Sequence, residues 1–342
     1  PAAAELALAA TRLNDAKRPV ILAGGGTRRE EATLMALAEH LDAPVILTVN
    51  ARGMMHAHPL CIAASASLES VRALITQSDQ ILAIGTELGP TDYDMYSRGN
   101  FPDLTQMIRI DISQAQLDRH PAGIALCGHA GATMRALLDL TKAHSANGAE
   151  NAAQTTKAAR KELGSLDALM PERLDMVEAI RAALPRSILV GDSTQPIYAA
   201  NLVYDHDRPN GYFNAASGFG ALGFSTGAAV GAALAAPGEK VVCLLGDGGL
   251  QFSPGELRTA VDEKLPITFV VWNNAAFNEI ADAMRGANTE VIGCSPSPLR
   301  LEHFAAACDL PFTSVAQNPE ALHWALSQPH DGPRLIEVRV TL

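Results

Sequence analysis

The sequence predicts an α/β fold of two doubly wound parallel-sheet domains, and three observations lead there. Short β-branched runs alternate with longer segments of helical periodicity, the rhythm of crossover units whose helices cover both faces of a parallel sheet. A length of 342 residues, at roughly 150 per domain, supplies two cores. A polar stretch over residues 141–156 carries Lys142, His144, Asn147, Glu150 and Gln154 with few large apolar groups, so it is expected to be an exposed linker. The expected divisions are residues 1–145, a linker at 146–165, and 166–342.

The strands expected in the first half are residues 19–23, 45–49, 81–84 and 107–111. Gly24-Gly25-Gly26 follows the first as a nucleotide-binding loop would, yet Arg29 stands where G-x-G-x-x-G needs its last glycine, which leaves a tight strand-to-helix turn. In the second half the strands fall at residues 187–190, 240–245, 267–272 and 335–340. A helix is expected at residues 197–202, directly after Gly191-Asp192-Ser193-Thr194-Gln195. That turn is either a helix cap or a phosphate-holding turn at a helix N-terminus.

Composition narrows the function. Lys plus Arg number 26 against 37 Asp plus Glu, a formal charge of −11, which argues against broad electrostatic capture of nucleic acid or an anionic membrane. The five cysteines are odd in number and never spaced C-x-x-C, as expected of unpaired thiols in a reducing, cytoplasmic compartment. No apolar run reaches the ~18 residues of a membrane span. The ten histidines form no H-E-x-x-H pair and receive no ligand role.

The chemistry concentrates between Gly246-Asp247-Gly248-Gly249, after one apolar strand, and Asn273-Asn274, after the next. A helix is expected between them, with Ser253 as N-cap, Pro254 at its first position and Glu256 completing the cap. Parallel strands joined by a right-handed crossover bring Asp247 and Asn274 to one sheet edge, where α/β folds bind ligands. A carboxylate and a carboxamide are two hard oxygen ligands for Mg²⁺, which completes its shell with further oxygens and substrate phosphates. Gly248 and Gly249 leave backbone N–H groups open to a phosphate. Singly, such residues are more often turn formers; jointly they point to a metal-bound diphosphate.

The stretch GDGGLQFSPGELRTAVDEKLPITFVVWNN resembles the signature of thiamin diphosphate (ThDP)-dependent enzymes, specifically the acetolactate synthase-like and 2-oxo acid decarboxylase group. The resemblance implies Mg²⁺ ligation by Asp247, Asn274 and the Ala276 carbonyl, with Gly246, Gly248, Gly249, Phe277 and Asn278 bordering the diphosphate. Upstream, residues 216–224 are similar to the family's G-x-G-x-M-G-F stretch. Leu222 then corresponds to the apolar residue that holds the two cofactor rings in a V shape, and the Gly220 carbonyl to the acceptor of the 4′-amino group. Ser193 and Thr194 correspond to residues on the far side of the diphosphate. Gly223-Phe224-Ser225-Thr226-Gly227 fits a serine-hydrolase elbow in letters only, since no strand precedes it.

The first half resembles the family's Rossmann-like middle domain through residues 18–26 and 110–113. The flavin-contacting R-F-D-D-R run of acetolactate synthases is replaced by residues 86–96, which leaves FAD in doubt. That acidic, tyrosine-containing run is equally an ordinary surface loop. The family's pyrimidine-binding domain, with its catalytic glutamate, is not recognised here, so the chain is expected to be a fragment, inactive alone, with no catalytic residue of its own. The intact protein is expected to be a homodimer or homotetramer whose site is completed by a neighbour's pyrimidine-binding domain. The implied activity is decarboxylation or ligation of a small 2-oxo acid, 5-guanidino-2-oxopentanoate among the candidates, by a lyase or transferase. The alternative is a non-catalytic cofactor-holding or assembly module. Asn278 and Glu279 suit a polar or cationic substrate tail, or simply cap the next helix.

Overall fold

A computed structural model describes residues 1–89, 92 and 102–340. They form two compact units, residues 1–168 with 201–210, and residues 169–200 with 211–342.

The first unit holds β1 (Pro19–Ala23), β2 (Val45–Leu47), β3 (Cys61–Ile62), β4 (Gln80–Ile84), β5 (Ile108–Asp111) and β6 (Ile124–Cys127), in the order β3-β2-β1-β4-β5-β6. Every pairing is parallel. β1 is central and buried along its whole length, which is why its sequence is an unbroken apolar run rather than an alternation. Helices Ala3–Asp15, Glu31–Leu41 and Ala130–Leu140 turn Leu13, Leu34, Leu37, Met134 and Leu137 into the same core as Ile21, Leu82 and Ile108. The expected tight turn after β1 is present as a 3₁₀ turn, Gly25–Thr27. It closes on the turn after β4: the Gly26 N–H donates to the Gly85 carbonyl at 2.9 Å, and a Cβ on Gly24 would lie inside the van der Waals surface of that same oxygen.

The expected linker is corrected. Residues 148–166 form a 19-residue helix, Gly148–Leu166, whose Ala152, Thr155, Ala159 and Leu163 are buried. Glu162 on this helix accepts from the N–H groups of Glu69 and Ser70 at 2.8 and 3.1 Å, capping helix Glu69–Gln77. Asp42 accepts from the Ala146 and Gly148 N–H groups at its start. Small residues at helical spacing give little hydrophobic signal in a sequence, yet they let helices pack closely. The segment therefore belongs to the first unit.

The second unit holds β7 (Ile188–Gly191), β8 (Tyr212–Asn214), β9 (Val241–Gly246), β10 (Ile267–Asn273), β11 (Phe312–Ala316) and β12 (Arg334–Arg339), in the order β11-β12-β10-β9-β7-β8. These pairings too are parallel. Its core joins Val190, Val241, Leu245, Phe269 and Val271 to Leu257 and Ala260 of helix Gly255–Asp262 and to Ala229 of helix Phe224–Ala235. The chain leaves β7 toward β8 on one side and returns to β9 on the other, so a crevice opens beyond the carboxyl ends of β7 and β9.

The helix after the Gly-Asp-Gly turn differs from expectation. A short helical turn, Asp247–Leu250, follows β9 directly, and the longer helix begins only at Gly255, with Pro254 rather than Ser253 as N-cap. The Ser253 carbonyl instead accepts from the Thr226 hydroxyl at 3.2 Å. Of the run at residues 86–96, Pro90, Thr91 and residues 93–96 lie outside the described residues. Among the described residues no helix is long and apolar enough to cross a membrane, and the five cysteines are free thiols.

Candidate functional site

Three strand ends build the site. Ser193 and Thr194 follow β7, Asp247, Gly248 and Gly249 follow Gly246 at the end of β9, and Asn274, Ala276, Phe277 and Asn278 follow β10. With Gly220 and Leu222, from the loop before helix Phe224–Ala235, all of them line one cleft. Gln195, Tyr198, Trp272, Glu279 and Ile280 line it as well. The twelve residues singled out from the sequence are thus brought together, with Glu279 of the suggested substrate tail beside them, whereas the sequence assigns Gln195, Tyr198, Trp272 and Ile280 to no site.

Asp247 is 3 % exposed. Burial raises the pKa of its carboxyl, against a lowering by hydrogen bonds from the backbone N–H groups of Asn274, Asp247 and Gly248, and the like charge of Glu337 adds to the rise. Gly248 directs its N–H to this carboxylate, and the absence of a side chain there makes room for Phe277: a Cβ would stand 2.5 Å from the ring. After β10, Asn274 Oδ1 accepts from the Ala276 N–H at 3.2 Å. Ala275, between them, has φ of 54°, a left-handed bend uncommon for non-glycine residues. Gln195 Oε1 accepts from Trp272 Nε1 at 3.0 Å and from Asn274 Nδ2 at 3.5 Å.

Asp192 is the other hub, and the sequence reading quoted it without giving it a role. Its side chain is fully buried. Oδ1 accepts from the Ser193 N–H at 2.8 Å, while Oδ2 accepts from the Gly223 N–H, the Ser225 N–H and the Ser225 hydroxyl at 3.0, 3.1 and 2.9 Å. Gly223 has φ of 83° as N-cap of helix Phe224–Ala235, so the carboxylate takes the place of a capping side chain and lies at the positive end of the helix. Ser225 is thereby a buried structural residue, which disposes of the hydrolase-elbow reading. Ser193 Oγ donates to the Gly220 carbonyl at 3.1 Å, joining the turn after β7 to the loop carrying Leu222.

The donor set suits one hard divalent cation. Asp247 supplies charge, and Asn274 Oδ1 and the Ala276 carbonyl are neutral oxygens in the same cleft; oxygen-only donors with a single carboxylate are the chemistry of Mg²⁺ that also binds phosphate. A buried carboxylate raised by desolvation is stabilised when a cation neutralises it. Asn278 is the first residue of helix Asn278–Gly286, whose N-cap is Phe277.

Two family profiles match the chain. The thiamine pyrophosphate enzyme central domain matches residues 6–137, and the thiamine pyrophosphate enzyme C-terminal TPP binding domain matches residues 191–338. Among curated relatives, a probable 2-ketoarginine decarboxylase of Pseudomonas aeruginosa is 34% identical over 86% of this chain and 53% of its own length. The acetolactate synthase isozyme 1 large subunit of Escherichia coli is 25% identical over 97% of this chain and 60% of its own. A benzoylformate decarboxylase of Pseudomonas aeruginosa is 29% identical over 82% and 52%. The chain spans about half the length of the curated relatives it matches.

Proposed function

This chain belongs to the thiamine pyrophosphate enzyme family, and from that premise we propose that it forms the Mg²⁺- and diphosphate-holding part of an enzyme that decarboxylates or ligates 2-oxo acids. The single observation that carries this reading is the convergence of Asp247, Asn274 and Ala276 with Ser193 and Thr194 on one cleft at the carboxyl ends of β7, β9 and β10. Asp247, Asn274 Oδ1 and the Ala276 carbonyl would hold Mg²⁺. Gly246, Gly248, Gly249, Phe277 and Asn278 would border the diphosphate on one side, with Ser193 and Thr194 on the other. Leu222, half buried in the cleft, would support the cofactor rings, and the Gly220 carbonyl would accept from the aminopyrimidine. The bound cofactor supplies an electron sink for the pair left behind when CO₂ departs from a 2-oxo acid.

For the substrate, the 34% identity to a probable 2-ketoarginine decarboxylase and the carboxylate of Glu279 in the cleft both favour a 2-oxo acid with a cationic tail. Phe219, Phe224 and Phe252 are exposed, and Phe219 and Phe224 bracket Gly220 and Leu222 in the chain. Such aromatic exposure beside a cleft supports a partner surface, here the pyrimidine-binding domain of a neighbouring subunit in a homo-oligomer.

Calorimetric titration with thiamin diphosphate, at several fixed Mg²⁺ concentrations, is expected to give saturable binding that requires the cation. Absence of binding, or binding indifferent to Mg²⁺, would overturn the reading. Assays of CO₂ release from 5-guanidino-2-oxopentanoate, pyruvate and benzoylformate on the loaded chain separate its two forms. Release favours a self-sufficient decarboxylase, and binding without release favours a cofactor-holding part.

A further inference from the structure

Gln195 touches both Trp272 and Asn274, and the chemistry of these three groups admits only one arrangement. An indole Nε1–H can donate but cannot accept. The Gln195 atom facing Trp272 Nε1 at 3.0 Å is therefore its carbonyl oxygen. That same oxygen faces the Asn274 amide at 3.5 Å, so the Asn274 atom turned toward it must be the donor Nδ2. Oδ1 is then left on the opposite side, where it accepts from the Ala276 N–H at 3.2 Å and retains a second lone pair. All three side chains are nearly withdrawn from water: Trp272 is 2 %, Gln195 6 % and Asn274 7 % exposed. Rotating the Asn274 amide by half a turn would set two acceptors, Oδ1 and Gln195 Oε1, against each other in a dry site, which is unfavourable.

We infer that Gln195, itself fixed by Trp272, is a positioning residue that locks the Asn274 carboxamide with its oxygen presented to the cation. The inference rests on the proposed cofactor reading and deepens it. Groups that orient a metal ligand from outside its coordination sphere commonly govern affinity by about 10- to 100-fold, and here the orienting group is neutral, so it acts through geometry rather than charge. The indole belongs to β10 and the glutamine opens the helix after β7. The lock therefore also ties the metal-binding strand end to the turn that carries Ser193 and Thr194.

The test is a double-mutant cycle read by calorimetry of Mg²⁺-dependent thiamin diphosphate binding, with no turnover required. Gln195→Met keeps the side-chain length but removes the acceptor. It is expected to raise the half-saturating Mg²⁺ concentration by about tenfold while leaving the saturating stoichiometry unchanged. Trp272→Phe frees the glutamine amide to rotate and is expected to have a similar effect. The double variant should be no worse than either single variant, because each breaks the same lock. An unchanged Mg²⁺ dependence in either single variant, or effects that multiply in the double variant, would overturn the proposal. Should Gln195→Met fail to fold, Trp272→Phe alone decides, since the acceptor remains. A parent chain that binds no cofactor at any Mg²⁺ concentration marks failure of the cofactor reading, which takes the lock with it. A parent that binds beside variants that behave identically marks failure of the lock alone.

Discussion

Each unit has a doubly wound parallel sheet, and each sheet has a point where the winding reverses, between β1 and β4 in the first unit and between β7 and β9 in the second. The two points are finished in opposite ways. In the first, Gly24, Gly26 and Gly85 let the two turns touch backbone to backbone, with Gly26 N–H bonded to the Gly85 carbonyl. In the second, Ser193, Thr194 and Asp247 line a cleft, with Asp192 buried behind them. A doubly wound sheet provides a crevice in either case; the turn residues decide whether glycine closes it or polar side chains equip it for a ligand.

The sharpest way to test that contrast is to strip the second crevice of its charge. Asp247→Ala is expected to weaken Mg²⁺-dependent thiamin diphosphate binding by more than ~100-fold, about 2.7 kcal/mol, as measured by calorimetry, with little change in the urea midpoint of the unliganded chain. If affinity survives, the polar finish of this crevice has no ligand-binding meaning. Asp192→Ala strands the Ser193, Gly223 and Ser225 donors in the interior. A stability loss of about 3 kcal/mol is expected in urea denaturation, together with weaker cofactor binding. Unchanged stability would show that the second crevice does not depend on this carboxylate.

Gly24→Ala should do the reverse at the first crevice, costing about 2 kcal/mol through forced overlap with the backbone of the opposing turn, while cofactor affinity stays at the parent value. A loss of affinity in this variant would mean that the two crevices are not functionally separate. The smallest effect is chemical. Burial pushes the Cys243 thiol on β9 up to about 12, whereas Cys127, at the end of β6, is exposed. At pH 8 a thiol reagent is expected to label Cys127 and to leave Cys243 unmodified until the chain unfolds, since its thiolate fraction is on the order of 10⁻⁴; peptide mapping of the labelled protein checks this.

The sequence reading located β1, β2, β4, β5, β7, β9, β10 and β12 and passed over β3, β6, β8 and β11, which are the outer strands of the two sheets. The division is physical. An interior strand is buried on both faces and is written as a continuous apolar run, whereas an edge strand is short or half exposed, as in Ile124–Cys127, where buried and exposed residues alternate. The cleft residues were legible because metal and phosphate chemistry restricts what can stand at the strand ends. Asp192 and Gln195 lie in a turn that the sequence marks, but nothing local in it assigns them a role. Their partners, Gly223, Ser225, Trp272 and Asn274, lie 31 or more residues away in sequence, and no local pattern announces such a pairing. The 148–166 helix was missed because alanine and threonine in its buried stripe look like linker composition.

The Asp192 carboxylate gathers the amide hydrogens of Ser193, Gly223 and Ser225 around one acceptor. Because one carboxylate holds all three, isotope exchange at these positions is expected to proceed together, on one clock. The support behind Ser193 would in that sense be set in advance, and a phosphate held there would meet a shape it does not have to create.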